Sequence, residues 1–434
     1  MAQFRKDRHE YLPDGKTIFE VVMLADQYGN RIGPANPSGV AVDAFGRARG
    51  SQPFTLFDSF NRYEDNGKFS TANTATATYT YDANSASVSL TVDGTSGAKV
   101  QRETTKVFAY QPGKSLLILN TFVMNAPEPN LAQRVGYYND LNGVFLEQTG
   151  TTIRFGIRSN VTGSVQYEYA EQANWNVDTL LGTVSTSPSQ KTLDLTKAQI
   201  FWCDIEWLGV GSVRCGFVID GQLIHCHTFH HANIVASTYM STACLPVRYE
   251  IENTGTRSGS ATLKQICTSV ISEGGYELRG KPRTYGQEPG GQRQLGTAGT
   301  YYPLLSIRLK STKLDAIAVP KSIDIAPINQ AVYKYKIVSG PTLTGASWAN
   351  TGADSAVEYD ANNASTMSGG TVLASGLIQA TNQSAASVSL DGDMFKYQLE
   401  RNGLTNTATI FTIGLTCATA TSNAIGTIDW QEFT

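Results

Sequence analysis

From about residue 71 onward the chain alternates apolar or aromatic positions with small polar ones, a period of two that predicts strands buried on one face. Thr74-Ala75-Thr76-Ala77-Thr78-Tyr79-Thr80-Tyr81 alternates, as does Ala86-Ser87-Val88-Ser89-Leu90-Thr91-Val92, which stops at Asp93-Gly94, a hairpin-type turn. Residues 116–123 form an apolar run that predicts a buried strand. Arg134-Val135-Gly136-Tyr137-Tyr138 and Gly143-Val144-Phe145-Leu146-Glu147 predict a pair around a turn ending in Asn142-Gly143. In the segment 151–158, Ile153, Phe155 and Ile157 fall on one face. Three further strands, within 198–209, 212–221 and 223–229, are punctuated by Gly209-Val210-Gly211 and Asp220-Gly221, and 247–253 and 261–270 add two more. No long stretch has a helical period, so helices are expected to be few.

This pattern divides the chain. Residues 1–70 lack it: Pro13, Pro34, Pro37 and Pro53 interrupt short apolar bursts such as Ile18-Phe19-Glu20-Val21-Val22. Such a segment cannot bury a core alone and reads as an extended N-terminal arm lying along another surface. Residues 71–280 read as one β-sandwich, 281–300 as a Gly- and Pro-containing linker, and 301–434 as a second β-sandwich with strands at 304–309, 331–338, 386–390 and 408–415. The expected fold class is therefore all-β, an arm followed by two antiparallel, jelly-roll-like sandwiches.

Composition sharpens the picture at three points. Charged residues make up 16% of the chain, against the roughly 25% usual in globular domains, and uncharged polar residues fill the gap. The formal net charge is −3 and no basic stripe is present, which argues against a nucleic-acid partner. No run approaches the roughly 18 apolar residues of a membrane-spanning helix, and the start Met1-Ala2-Gln3-Phe4-Arg5-Lys6-Asp7 has no apolar stretch behind it. Synthesis and folding in a cytoplasm are expected, with no membrane insertion. The six cysteines (Cys203, Cys215, Cys226, Cys244, Cys267 and Cys417) match no metal-ligand spacing and read as buried free thiols.

Three groups of residues are candidates for chemistry. His225, His227, His230 and His231 lie in one segment with Cys226; on a strand His225 and His227 share a face and Cys226 takes the other. They read either as a zinc-type site, as a pH sensor at an interface, or as the wet face of a strand entering a polar loop. Asp204 and Glu206, two apart, share a strand face and meet the shorter of the carboxyl spacings used in glycoside hydrolysis, although Trp202, Asp204 and Glu206 alternate with Phe201, Cys203, Ile205 and Trp207, for which the simpler reading is one polar and one core face. Among the 20 tyrosines, Tyr137-Tyr138 and Tyr301-Tyr302 are candidates for stacking on sugar rings, with packing as the plainer reading. No phosphate-binding loop, nucleophile elbow or EF-hand spacing occurs. No catalytic, cofactor-binding or metal-ligating residue is assigned, and no cofactor is expected.

Asp204-Ile205-Glu206-Trp207-Leu208-Gly209, with Gly211 and Val213, followed by Gly216, Ile219, Asp220 and Gly221, resembles the strand–turn–strand core of concanavalin A-like and laminin-G-like jelly rolls. Three stretches resemble virion structural proteins of tailed bacteriophages, marine cyanobacterial phages in particular. They are Asp43-Ala44-Phe45-Gly46-Arg47 with Pro53-Phe54-Thr55-Leu56-Phe57-Asp58-Ser59; the run from Trp202 through Tyr249-Glu250-Ile251-Glu252-Asn253-Thr254-Gly255; and Ser306-Ile307-Arg308-Leu309 with Trp430-Gln431-Glu432. The resemblance implies a virion component, a tail fibre or other appendage or a capsid decoration, and the missing catalytic motifs make a non-enzymatic, structural role the expectation. It would contact copies of itself, as a homotrimer by likeness to phage appendages, and other virion proteins, partly through the arm. The rival expectations are a host-attachment adhesin that binds surface carbohydrate and, behind it, a glycan depolymerase.

Overall fold

The computed structural model describes residues 52–433 apart from 66, 75, 382–385 and 391–395, together with two short strands nearer the N-terminus. Those two, His9–Tyr11 and Ile18–Glu20, form an antiparallel pair within a unit that ends at Gln52. The rest of the expected arm up to residue 51 lies outside the described residues. A second unit begins at Pro53 and holds both sandwiches.

The first sandwich faces a seven-stranded sheet against an eight-stranded one. The seven-stranded sheet runs, edge to edge, Gln166–Glu171, Thr152–Ser159, Gly143–Thr149, Leu131–Tyr138, Val247–Asn253, Lys99–Thr104 and Phe69–Asn73. The other runs Gln222–Phe229, Val213–Ile219, Gln199–Ile205, Ser115–Val123, Ala261–Glu273, Ser87–Val92 and Thr78–Asp82, and Pro53–Phe60 pairs along Ala261–Glu273. Every named pairing is antiparallel, as the short alternating segments require. Inward positions fill a continuous core in which Phe155 stacks on Trp175 at 4.2 Å and on Phe201 at 5.7 Å. The lone helical turn among the described residues, Gln172–Asn174, is a three-residue 3-10 turn that leads to Trp175.

The second sandwich packs a five-stranded sheet (Lys281–Gly286, Ser422–Phe433, Ile317–Pro327 and Ala386–Ser389, with Arg293–Leu295 alongside) against a six-stranded one. The latter runs Ala349–Asn350, Val357–Asp360, Tyr302–Leu309, Phe411–Cys417, Val332–Ser339 and Thr371–Gln379. Its core holds Leu304, Ile307, Tyr333, Ile413, Ile428 and Trp430. A third cluster, Val107, Ala109, Tyr276, Ile317 and Val319, closes the seam between the sandwiches, and Arg401 N donates to Thr105 O across it at 2.9 Å.

Several local expectations change. Pro53–Phe60, read as arm, is a strand of the first sandwich with Phe57 buried; Pro53 opens it, a position where a missing N–H does no harm. Segment 281–300, read as linker, contributes two strands to the second sandwich, and its Pro282 is tolerated because Lys281–Gly286 is an edge strand. Asp93-Gly94 does not close a hairpin: the strands on either side lie in different sheets, and glycine is needed because the Arg257 carbonyl approaches where a Cβ would sit. Asp220-Gly221 does close one, with both residues at positive φ (52° and 74°), the geometry of a type I′ turn. Ser115–Val123 is buried on one face only, leaving Leu117 and Leu119 half-buried on the other. All six thiols are free; Cys203, Cys215, Cys226 and Cys417 are buried, while Cys244 and Cys267 are half-buried.

Candidate functional site on the outer face of the seven-stranded sheet

Alternation places Val135, Tyr137, Phe155 and Ile157 in the core, so their neighbours Arg134, Gly136, Tyr138, Arg154, Gly156 and Arg158 face outward. The strand register then builds rows across the sheet. One row runs Glu171, Arg154, Glu147, Arg134, Glu250 and Gln101. The next runs Tyr169, Gly156, Phe145, Gly136, Arg248 and Glu103, and a third runs Tyr167, Arg158, Gly143 and Tyr138.

The first row is an alternating ion ladder. Arg134 Nε donates to Glu147 at 2.6 Å and its Nη1 to Glu250 at 2.5 Å, while Arg154 Nε donates to the other Glu147 oxygen at 2.5 Å. Burial pushes the Glu250 carboxyl up, but Arg134, Lys99 and Arg248 outweigh it and hold the group at about 2. Glu250 is therefore ionised at any physiological pH and has no proton to donate.

The middle row depends on glycine. A Cβ on Gly156 would stand 2.7 Å from the Phe145 ring, so only glycine lets Phe145 lie across the sheet. Tyr169 stands edge-on to Phe145, with ring centroids 6.4 Å apart. The guanidinium of Arg154 covers Tyr169 at 3.5 Å, and Tyr169 and Tyr167 are stacked at 5.4 Å with planes 4° apart. Arg158 lies over Tyr167, 5.4 Å from its centroid. The result is an Arg–Tyr–Tyr–Arg stack on an edge strand. Tyr167 and Tyr169 remain 47% and 38% exposed, presenting hydroxyls and ring edges while cations cover their outer faces.

Toward the second sandwich the rows end in a cluster whose centre, Glu103, Arg248 and Arg401, is buried and whose outer carboxylates, Asp140 and Asp315, are exposed. Glu103 is paired with Arg248 and, at 2.6 Å, with Arg401; Arg248 also reaches Asp140 at 2.5 Å and Arg401 reaches Asp315 at 3.0 Å. This cluster lines a cleft of about 930 Å³ between the sandwiches, with Tyr110, Leu141, Lys281 and Lys313 on its walls.

The residues singled out from sequence lie elsewhere. The strand Gln199–Ile205 ends before Glu206, which is exposed and donates its N–H to Ser212 O at 3.2 Å, whereas Asp204 is buried and ion-paired to Arg214. The pair therefore does not share an open groove. The Cys226 thiol lies in the core, and a bulge that makes Cys226 the extra residue of its strand sets His225 opposite Gly216 and His227 opposite the adjacent Cys215, so the two histidines do not share a face as expected and take separate partners. His225 Nε2 contacts Thr228 Oγ1 at 2.8 Å, and His227 Nδ1 accepts from Asn176 N at 3.3 Å. His230 lies 3.4 Å from Ser212 Oγ, and His231 Nδ1 contacts Gly211 O at 2.8 Å while its ring stacks on Tyr239 at 3.9 Å. Among the described residues no three ligating side chains converge on one point. Burial holds the imidazole of His225 below its usual range and that of His227 down at about 4. Tyr137 and Tyr138 are fully buried, the first bonding Ala243 O at 2.8 Å, so neither is a sugar platform. Tyr301 and Tyr302 are half-buried, with Lys336 Nζ 4.1 Å from the first ring and the Arg293 guanidinium 5.2 Å from the second. The outward rows were missed by sequence reading, although Arg154-Phe155-Gly156-Ile157-Arg158 and Tyr167-Glu168-Tyr169 announce them by alternation.

No family model matches the chain, and no curated protein matches it in sequence. Solved structures that resemble it include the GH16 protein of a Bacteroides ovatus mixed linkage glucan locus (11% identity, 50% of this chain and 99% of that one, TM-score 0.34). Arcelin-5, a lectin-like defense protein of Phaseolus vulgaris, is 11% identical over 51% of this chain and 98% of its own, with a TM-score of 0.32. The CBM2 module of an evolved Dit from Lactobacillus casei BL23 phage J-1 is 6% identical over 53% and 100%, with a TM-score of 0.33. Nothing about activity or ligand passes to this chain from likeness at that level.

Proposed function

We propose that the chain is a non-catalytic structural protein that assembles with copies of itself and with neighbours, in the tailed-phage virion setting its sequence resemblance suggests. The observation that carries this reading is the engagement of its carboxylates. On the outer sheet face Glu103, Glu147 and Glu250 are each clamped by guanidinium groups. Glycoside hydrolysis needs one carboxyl kept protonated near neutral pH and a second free to attack or to activate water. Glu250, held at about 2, is tuned the opposite way. Such ladders instead make a stiff plate, which suits a protein that bears load through its contacts.

A second reading, a carbohydrate-binding adhesin, is favoured by the half-exposed Tyr167 and Tyr169 with Arg154 and Arg158 beside them. Their hydroxyls and guanidinium edges suit hydrogen bonding to sugar hydroxyls or to an acidic glycan more than ring stacking. Incubation with a polysaccharide panel, reading reducing ends and glycan-array binding together, separates the readings. The structural reading expects silence in both. Array binding lost in Tyr167→Ala and Tyr169→Ala would establish the adhesin. Sugar release abolished by Asp204→Asn or Glu206→Gln would establish a depolymerase and overturn the first reading.

A further inference from the structure

Among the described residues, the strand Thr371–Gln379 closes one edge of the six-stranded sheet and pairs with Val332–Ser339 alone. It is nine residues long and contains no Lys, Arg, Asp, Glu or Pro. Protein edges are ordinarily blunted by charge, proline, shortness or a bulge, because an open ladder of N–H and C=O groups invites another strand, and of these devices this edge has only a bulge, near its N-terminal end. Here the side chains invite one too: Leu377 is 72% exposed, Val372 53% and Leu373 37%. A bulge between Ile337 and Val338 leaves Leu373 as the extra residue, and from Ala374 to Gln379 the register with the inner strand is unbroken.

We propose that this edge pairs with the same edge of a second copy, antiparallel and centred on Ser375, joining the two six-stranded sheets across a two-fold axis. The proposal rests on the self-assembly reading above and names the surface that performs it. The occupant follows from the pattern. Antiparallel pairing about Ser375 sets Leu373 opposite the second copy's Leu377, and Leu377 opposite its Leu373, so the exposed leucines meet each other twice. A two-fold contact needs such a self-complementary strand, whereas an arbitrary partner does not. The nearest cations, Lys334 and Lys336, are on the inner strand, opposite Leu377 and Ser375. Across the joined sheets they stand three strand spacings from their equivalents, about 14 Å, beyond the roughly 8 Å screening length at physiological salt. Repulsion therefore does not forbid the pairing. The contact joins copies in twos, so a closed trimer would need a different surface.

Sedimentation velocity on the full chain tests this with Leu373→Lys, Leu377→Glu and the two combined. Leu223→Lys, an equally solvent-facing leucine on an edge strand of the first sandwich, serves as control. Each single variant is expected to raise the dissociation constant about a hundredfold, since each change counts twice across the axis at about tenfold per 1.4 kcal/mol. The combination is expected to restore association, by placing Lys opposite Glu. The control is expected to associate as the parent does, and unchanged circular dichroism keeps the comparison to folded protein. An oligomer indifferent to all the variants overturns the assigned surface and leaves the assembly reading intact. Failure of the combination to restore association overturns the register. A parent chain that stays monomeric overturns both.

Discussion

Glu250 lies buried in a sheet, where a carboxylate costs several kcal/mol unless cations meet it, and Arg134, Lys99 and Arg248 do. Its folded value of about 2 lies below the ordinary 4.5, so the stabilisation is complete above pH 4.5 and is lost as the pH falls from 4.5 toward 2. The size is on the order of 3 kcal/mol. Glu250→Gln is expected to lower unfolding free energy by about that amount in urea titrations at pH 7, and to flatten the acid limb. His227 acts in a different window. Burial holds it down at about 4 against 6.5, so the unfolded chain binds the extra proton and stability declines from pH 6.5 to 4. His227→Asn, which keeps an acceptor for Asn176 N, is expected to remove that slope, read from melting temperature against pH. What sequence shows at this scale is which face a residue takes. Arg154 and Arg158 flank core-facing Phe155 and Ile157 and had to point outward. That Arg134 meets Glu250 was hidden, because 116 residues separate them and only the strand order brings them together.

At the scale of elements, glycine and aromatic positions are matched across strands. Gly156→Ala would drive a methyl into the Phe145 ring and is expected to cost roughly 1–3 kcal/mol, seen as a lower denaturant midpoint at unchanged slope. Strand existence was legible from alternation and Gly turns, and the Asp220-Gly221 hairpin formed as its residues require. Composition misled where it overruled alternation. Pro282 and its neighbouring glycines read as linker, yet an edge strand has no need of the proline's missing N–H. The four histidines read as one cluster, but the bulge at Cys226 and the turn beyond Phe229 send them to separate partners, and a bulge leaves no mark in the sequence.

Across the whole molecule, the Arg248–Glu103–Arg401–Asp315 cluster and the apolar seam at Val107, Tyr276 and Ile317 bind the two sandwiches into one unit. They are expected to unfold together in calorimetry. Arg401→Met leaves Glu103 with a single partner and Asp315 with none of its Arg401 contacts. It is expected to cost about 3 kcal/mol or more and to split the unfolding into two transitions. None of this seam was visible in the sequence, because its members lie far apart in two segments read as separate sandwiches, and the charged ones look like ordinary surface charge.

On the reading proposed above, the chain works by assembling. Sedimentation velocity of the full-length chain over a wide concentration range tests it most directly. A discrete oligomer whose share grows with concentration at physiological salt is expected; a single monomer boundary at every concentration, with the chain fully folded, would overturn the assembly reading.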